Sequence, residues 1–341
     1  MFRIRTVLLV LLIAFLAISC SAAELKRVFA YYQVPALDRS ADEALIAFKD
    51  VITDLSPTII EVMDGLGKVE VTPETKYLEI LQGEKTLISP LIRNYNFDKQ
   101  IAKWSLFSPS AQKSMVAGTL ALLEKERRYS GVVIDIENTS PTDRDHYSAF
   151  IRRMYEALHP RGFKVFTVVG PKEVDIPKAL WTRAFDYKEI GKYSDFVIMM
   201  TYNQHWKGGP PGPCAAVDWF EACVKYACEC MPKEKVIAGI PFYGYDWPPT
   251  GPATSLTHKK ASALIDRVKP EKIEWSEPWG TPWFAYTENG AKHEVWFENV
   301  RSVEAKLDVC RKLGVGGVAA WRLGDEDPKF WEVIGRYSRG E

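Results

Sequence analysis

Residues 129–138 have the sequence YSGVVIDIEN, and this stretch decides the fold of the chain. Its apolar positions are continuous enough for a β-strand that is buried on both faces. Alternate side chains of a strand share a face, so Asp135 and Glu137 lie on one face with Gly131 and Val133. The aliphatic side chains of the other face would pack against helices. We therefore predict a parallel strand that carries two acids toward the interior of the sheet at its carboxyl end.

Seven further runs of β-forming residues accompany this strand, and amphipathic stretches separate them. Strands that alternate with helices imply βαβ units and a parallel sheet. Eight such units within 341 residues favour a closed (β/α)₈ barrel, a TIM barrel, over an open sheet. The predicted strands are 28–33, 58–63, 86–92, 131–137, 164–170, 196–202, 236–243 and 316–321. The predicted helical stretches are 41–49, 111–128, 143–158, 219–231 and 303–313.

One segment interrupts this alternation between strands seven and eight. Residues of about 248–301 contain a helical stretch at 255–268 followed by short β-like runs, and Asn289-Gly290 is a strong hairpin signal. We expect a small α+β insertion on the rim at the carboxyl ends of the strands, where the catalytic face of such barrels lies. The insertion either walls a substrate groove or only braces the barrel.

Two carboxyl groups that point into a barrel near the carboxyl end of strand four favour a catalytic role. The Cα atoms of Asp135 and Glu137 are expected about 6.6 Å apart, so the carboxyl groups can share a proton. Like charges at this distance push the two pKa values apart and keep one group protonated near neutral pH, as a general acid requires. The structural alternative is a pair of buried acids that only braces the barrel.

The charge balance excludes some classes of partner. Lys plus Arg and Asp plus Glu number 44 each, so no excess of positive charge marks a surface for nucleic acid or an anionic membrane. The chain has 11 Trp and 15 Tyr, side chains that stack on sugar faces as well as fill a core. We expect a substrate that is neutral or is bound through aromatic faces and hydrogen bonds, and no nucleic-acid partner.

The amino-terminal residues are predicted to direct export. Two arginines precede an apolar run that is too short to span a bilayer comfortably, and small residues follow it. Residues 1–23 are therefore predicted as a secretory signal, and residues 24–341 as an exported catalytic barrel that is extracellular or associated with the cell wall. Cys20 leaves an alternative open, because the residues before it loosely resemble a bacterial lipoprotein box and would give a lipid anchor.

The chain has six cysteines, and export would permit disulfides whose pairing the sequence does not determine. Cys228 and Cys230 lie close together, but no second cysteine pair and no histidine stand at ligand spacing near them. We expect buried or paired thiols here rather than a metal site.

Several motifs together resemble glycoside hydrolase family 18, the chitinase-like family. The pattern GxxxDxE at 131–137 resembles the end of the family signature Asp-Gly-x-Asp-x-Asp-x-Glu. Met-Thr-Tyr-Asn at 200–203 resembles the family's Met-x-Tyr-Asp on strand six, and residues 239–245 resemble its strand-seven segment. Trp321 stands where the family has a Trp beneath the reacting sugar. The run from residue 295 to residue 324 is especially like the bacterial spore cortex (YaaH-type) branch, and the resemblance covers nearly the whole mature chain.

The resemblance implies a retaining, substrate-assisted glycosidase that needs no metal and no cofactor. Its substrate would be a glycan with β-1,4-linked N-acetylglucosamine, in peptidoglycan, including spore cortex, or in chitin. Glu137 would act as acid and then as base, and Asp135 would hold the acetamide N–H of the substrate. Tyr202 would donate to the acetamide oxygen, and Trp321 would stack beneath the cleaved sugar. Further predicted contacts to the glycan come from Tyr32, Asn203, Trp206 and Tyr243.

Three positions depart from the family pattern. Ser130 and Val133 replace acids on strand four, and Asn203 replaces the acid on strand six. Val133 removes a polar neighbour of Asp135, and Asn203 keeps an acceptor oxygen but loses a charge. A second hypothesis is therefore a chitinase-like lectin that binds glycan without cutting it, although the retained Glu137 favours an enzyme. A third is an unrelated barrel enzyme, for which the sequence offers no phosphate-binding loop after strand seven or eight and no His-rich metal cluster.

Overall fold

The computed structural model describes residues 26–34 and 39–341. The predicted export signal of residues 1–23, and with it Cys20, lies outside the described residues. Within the described part of the chain, no helix combines the length and the apolar character needed to cross a bilayer.

Eight parallel strands form a closed barrel, which confirms the predicted fold class. Strand one pairs with strand eight, with Arg27 opposite Gly317, and with the first half of strand two, with Phe29 opposite Asp54. The second half of strand two pairs with strand three, and this pairing closes the ring. Barrel strands one to eight are, in order, Arg27–Tyr32; Asp54–Pro57 with Ile60–Val62; Leu87–Ile88 with Leu91–Asn94; Gly131–Asp135; Lys164–Val169; Phe196–Met199; Val236–Pro241; and Gly317–Trp321.

Strand two begins at Asp54, earlier than the predicted start at residue 58. Polar residues hide this part of the strand in the sequence. The carboxylate of Asp54 is fully buried and accepts a hydrogen bond from Arg27 (Nη1–Oδ1 2.6 Å), so its charge is paired at the amino-terminal end of the barrel. Pro57, which has no N–H, marks the break between the two halves of the strand.

Inward and outward side chains of the barrel form two separate cores. The alternation predicted for strand four is confirmed, because Val133 lies in the interior core whereas Val132, Ile134 and Ile136 lie in the outer core beneath the helices. The interior core also contains Phe29, Leu91, Phe166, Ile198, Ile237 and Ala319. This register leaves Asp135 pointing into the barrel.

Helices pack around the barrel, and the five predicted helical stretches correspond to α1, α4, α5, α7 and α9 below, with ends shifted by a few residues. Local signals set some of these ends. Ser108 caps α4 through its hydroxyl, with Pro109 in the first turn, and Asn299 caps α9 in a reciprocal capping box with Ser302. The helices of the described residues are α1 (Ser40–Phe48), α2 (Lys76–Ile80), α3 (Lys99–Phe107), α4 (Pro109–Lys125), α5 (Arg144–Leu158), α6 (Tyr187–Lys192), α7 (Val217–Cys230), α8 (His258–Val268), α9 (Val300–Leu313) and α10 (Lys329–Arg339).

The insertion between strands seven and eight is an antiparallel sheet of five strands with α8 packed against it. The sheet starts at Tyr243, directly after strand seven, and so includes residues upstream of the expected start near 248. Asn289 and Gly290 form its hairpin turn, both with left-handed backbone (φ 51° and 79°), the conformation that this dipeptide favours. Its strands lie side by side in the order Thr254–Thr257, Tyr243–Trp247, Ala291–Trp296, Thr281–Glu288 and Glu274–Ser276.

A buried ion pair joins the end of the insertion to α9. Lys306 donates from Nζ to both carboxylate oxygens of Glu298, at 3.1 and 2.8 Å, and neither side chain is more than 1% exposed. Ser302 donates its hydroxyl to the same carboxylate at 2.5 Å. Burial raises the pKa of Glu298, and the charge of Lys306 opposes that rise. Removing either partner would leave an uncompensated charge in the core.

Lys306→Met is therefore expected to lower the free energy of unfolding by about 3–5 kcal/mol, because it leaves the buried Glu298 carboxylate without a counter-charge. The double variant Glu298→Leu/Lys306→Met is expected to recover most of that loss. Urea unfolding followed by circular dichroism measures both effects. Lys312→Met, which breaks the exposed pair with Glu221, serves as the control and is expected to change stability far less. A single variant as stable as the wild type would contradict the prediction.

Candidate active site

Asp135 and Glu137 lie at the carboxyl end of barrel strand four. The Asp135 side chain is 5% exposed, and its Oδ1 atom is buried without a hydrogen-bond partner among the described residues. Glu137 lies two residues farther on, just beyond the strand, and is half-buried. The alternation of this strand thus brings both acids to the same opening of the barrel.

The end of strand three and the loop after it hold the backbone around Glu137. The Glu137 N–H donates to Oδ1 of Asn94 at 3.0 Å, and the Asn94 amide donates to the Glu137 carbonyl at 3.2 Å. Asn138 adopts a left-handed backbone (φ 55°), and its amide donates to the Phe97 carbonyl at 2.8 Å. These bonds fix the direction in which the chain leaves strand four. Sequence reasoning missed Asn94, and the available signal was an amide side chain at the end of a buried strand.

Burial raises the pKa of both acids. For Asp135, burial is the main cause, and the positive charge of Arg93 partly opposes it. For Glu137, burial is again the main cause, the negative charge of Asp135 raises the pKa further, and Arg93 opposes the rise. The pair therefore keeps a proton at pH values where an ordinary carboxyl group has lost it. Chemically, the arrangement can supply a general acid.

A row of charged residues crosses strands two, three and four at this level. Glu61 lies opposite Arg93 in the sheet register, and Arg93 lies opposite Asp135. The Arg93 guanidinium donates to Glu61 from Nε (3.2 Å) and Nη2 (3.0 Å). Its charge therefore acts on Asp135 while its hydrogen bonds go to Glu61. Sequence reasoning missed Arg93, because no local pattern shows which residues lie across from strand four.

The layer beneath the acids is apolar. Val133 lies opposite Leu91 on one side and Phe166 on the other, and all three are buried in the interior core. The replacement of a family acid by Val133 thus removes polar surroundings from Asp135. This apolar layer contributes to the burial that raises the pKa of Asp135.

Three aromatic side chains flank the acids. Trp321, at the end of strand eight, contacts the ring of Tyr31 (centroids 4.9 Å apart) and lies near that of Tyr202 (6.4 Å, interplanar angle 26°). Burial raises the pKa of both tyrosines, and the charges of Asp135 and Glu137 raise it further. The structure thus brings the predicted residues Asp135, Glu137, Tyr202 and Trp321 together and adds Tyr31.

Tyr32 does not reach this opening, and the structure corrects that prediction. Its side chain is 1% exposed and lies in the outer core, where its hydroxyl donates to Asp42 of α1 at 2.5 Å and its ring contacts Tyr77. Tyr31 occupies the inward position, in line with the inward Phe29. Alternate residues of strand one point inward, and the sequence did not show which of the two adjacent tyrosines would be the inward one.

Asn203, just after strand six, is held by two tyrosines of the insertion sheet. The hydroxyls of Tyr243 and Tyr245 each donate to its Oδ1 at 2.8 Å. Its backbone is left-handed (φ 60°), and its N–H donates to the sulfur of Cys214 at 3.5 Å. Because Oδ1 already accepts two bonds, the amide Nδ2 of this exposed residue is the group left for a ligand. Tyr243 also lies 6.3 Å from the ring of Tyr202, so it belongs to the same aromatic group.

Trp206 lies farther out, in the loop after strand six. Its indole is 53% exposed and packs over Gly208 and Gly209. It is therefore a rim residue, and its contact with glycan stays a prediction.

Metal chemistry has no obvious ligand set here. Residues 26–34 and 39–341 contain no group of three or more His, Cys, Asp or Glu side chains placed to hold a metal ion. The cysteines of this part of the chain are free thiols, and burial raises the pKa of Cys214 to about 12.

Proteins of known sequence and structure share this architecture. The model of the family described as "Glycosyl hydrolases family 18" matches residues 63–327. A Bacillus subtilis (strain 168) protein, "Uncharacterized glycosylase YvbX", is 33% identical over 276 residues, which cover 79% of this chain and 80% of that protein. The "Cortical fragment-lytic enzyme" of the same strain is 29% identical over 279 residues, which cover 79% of this chain but 64% of the enzyme. The chain thus spans less than two thirds of that enzyme's length.

The fold is also similar to that of a solved structure. The Bacillus cereus spore cortex-lytic enzyme SleL superposes with a TM-score of 0.84 at 28% identity, covering 93% of this chain and 76% of that one. The family match extends from the loop after strand two to the loop after strand eight and includes both acids of strand four. The chain therefore belongs to glycosyl hydrolase family 18.

Proposed function

We propose that this family 18 glycosidase is an exported, retaining, substrate-assisted enzyme that cleaves β-1,4-linked N-acetylglucosamine glycan in peptidoglycan. The observation that carries the proposal is the pair formed by the buried Asp135 and the half-buried Glu137, both with raised pKa values, at the same opening of the barrel as the half-buried Trp321. The glycan class follows from the family, whose members act on N-acetylglucosamine-containing glycans. The choice of peptidoglycan over chitin rests on the names of the cortex-lytic relatives.

In this proposal the substrate supplies the nucleophile. The oxygen of its 2-acetamido group attacks the anomeric carbon while the bond from that carbon to the leaving oxygen breaks. Protonated Glu137 gives its proton to the leaving oxygen. Water then attacks the anomeric carbon of the cyclic cation while the bond from that carbon to the acetamide oxygen breaks, and the water gives a proton to the Glu137 carboxylate. Two displacements at one carbon retain the anomeric configuration.

Three further side chains support this cycle. Asp135 has a buried oxygen without a partner among the described residues, so it can accept the acetamide N–H and stabilise the cation. Tyr202 keeps its proton, because burial raises its pKa, and can donate to the acetamide oxygen. Trp321 offers its ring as a floor for the sugar.

A glycan-binding lectin is the competing function. The apolar Val133 and the uncharged Asn203 favour it, since both reduce the charge available for catalysis. The proton-retaining Glu137 favours an enzyme. Turnover by the wild type separates the two functions.

Glu137→Gln is expected to lower kcat roughly 10²–10⁴-fold on purified peptidoglycan and on fluorogenic chito-oligosaccharides, because the amide has no proton to give. Binding of the oligosaccharides, measured by calorimetry, is expected to persist. Glu124→Gln changes an exposed glutamate on α4 in the same way and is the matched control. If the wild type binds both glycans but cuts neither, the lectin hypothesis replaces the enzyme. The better of the two substrates decides between peptidoglycan and chitin.

Asp135→Asn is expected to move the alkaline limb of the pH–kcat/KM profile to lower pH. The charge of Asp135 raises the pKa of Glu137, so its removal lets Glu137 lose the proton at a lower pH, and the acid form disappears earlier as pH rises. Initial rates from pH 4 to about 9 measure the shift. A fall in rate with an unmoved alkaline limb would show that Asp135 does not govern the proton on Glu137.

Asn203→Asp is expected to raise kcat roughly two- to fivefold, because a carboxylate at the rim stabilises the cationic intermediate while still accepting from Tyr243 and Tyr245. The added negative charge is also expected to move the alkaline limb to higher pH. A lower kcat with a raised KM would indicate instead that the substrate needs the Asn203 N–H.

A further inference from the structure

A cavity opens at the carboxyl ends of strands one and eight, on the same rim as the proposed active site. It has a volume of about 460 Å³ and lies between the end of strand one, the start of α8 and the loop after strand eight. Arg322, which lines it, directly follows Trp321 in the chain. The cavity and Trp321 therefore meet at the carboxyl end of strand eight.

Backbone hydrogen bonds fix the walls of this cavity. The Leu323 N–H donates to the Tyr31 carbonyl at 3.2 Å, which ties the loop after strand eight to strand one. The His258 N–H donates to the Asp325 carbonyl at 2.8 Å, which ties the first residue of α8 to the same loop. The cavity is thus preformed by three elements that are bound to one another.

Positive charge predominates among the described residues of the lining. Lys259, Lys260 and Arg322 carry positive charges, against the single carboxylate of Asp325. Asp325 accepts from the Arg322 Nε at 3.0 Å, which leaves the two terminal nitrogens of the guanidinium for a ligand. Neither lysine forms an ion pair with any acid in residues 26–34 and 39–341, and both are exposed.

The two lysines also stand where the helix itself disfavours them. They lie in the first turn of α8, which contains no acidic residue, and the positive end of a helix dipole repels cations. Local stability would favour acids at these positions. Charges that oppose the local preference and form no ion pair within residues 26–34 and 39–341 are available to an anionic ligand from outside.

We infer that this cavity is a subsite for carboxylate groups carried by the glycan next to the cleaved bond. The inference rests on the proposed function and names its substrate more closely, since peptidoglycan carries carboxylates and chitin does not. Two sources share this chemistry. One is the carboxylates of the stem peptide, and the other is the lactyl carboxylate of a muramic acid without peptide.

Lys259→Gln/Lys260→Gln tests the subsite. The ratio of kcat/KM for peptide-bearing glycan fragments to kcat/KM for neutral chito-oligosaccharides is expected to fall roughly three- to tenfold, mainly through KM. Raised salt is expected to lower the wild-type ratio and to have less effect on the variant. Peptide-free glycan strands, compared with peptide-bearing ones, show which carboxylate is bound. Lys85→Gln/Lys225→Gln removes two exposed lysines elsewhere and is the matched control.

Two further measurements separate a subsite from a structural role and from failure of the proposed function. The Tm of Lys259→Gln/Lys260→Gln is expected to be unchanged or higher, because the lysines oppose the α8 dipole. Binding of the same fragments to Glu137→Gln protein, with and without the lysine changes, tests the subsite even if the wild type cuts no glycan. An unchanged ratio, an equal loss on neutral and anionic glycans, or equal binding with and without the lysines would each overturn the inference.

Discussion

Removal of two carboxyl groups from water at the end of strand four is the constraint on which the site depends. Burial is the main cause of the raised pKa of both Asp135 and Glu137, and the positive charge of Arg93 works against it. A guanidinium hydrogen-bonded directly to Asp135 would favour the ionised carboxylate and weaken this balance. The structure avoids that outcome because Glu61 accepts both Arg93 hydrogen bonds. The charge of Arg93 therefore reduces the rise in pKa that burial causes in both acids, but it does not cancel that rise.

The barrel makes this burial possible. Strand four is apolar on its outer face against the helices, and its inner face rests on the apolar layer formed by Leu91, Val133 and Phe166. No flexible loop could hold a carboxyl group at the edge of such a core, because the loop's own backbone would need water or hydrogen-bond partners. The amide of Asn94 supplies those partners for Glu137, the second residue beyond the strand, so Glu137 leaves the core in a defined direction.

What the sequence predicted well was local in origin. The alternation within residues 131–137 was enough to assign both faces of strand four, and eight apolar runs were enough to predict the barrel. The errors lay where the outcome depends on partners that are distant in the chain. A charged residue such as Asp54 is not expected in a buried strand unless a partner such as Arg27 lies beside it. The register of strand one determines that Tyr31, and not Tyr32, points into the barrel. Arg93 belongs to the site only because strand three pairs with strand four. The sequence pattern of the predicted strand 86–92 gives no information about that pairing.

The insertion sheet does more than brace the barrel. Through Tyr243 and Tyr245 it fixes the amide of Asn203 at the rim, and through α8 it places two lysines beside the loop after strand eight. A helix can carry cations in its first turn only if other contacts hold it. In α8 those contacts are the N-cap hydroxyl of Thr257 and a buried face that packs on the insertion core, a cluster made of Leu256, Ala261, Leu264, Phe284, Tyr286 and Val295. Because that core lies outside the barrel, the insertion packs on itself independently of the apolar layer beneath Asp135. The acids of strand four and the charges of α8 thus rest on two separate cores, one inside the barrel and one in the insertion.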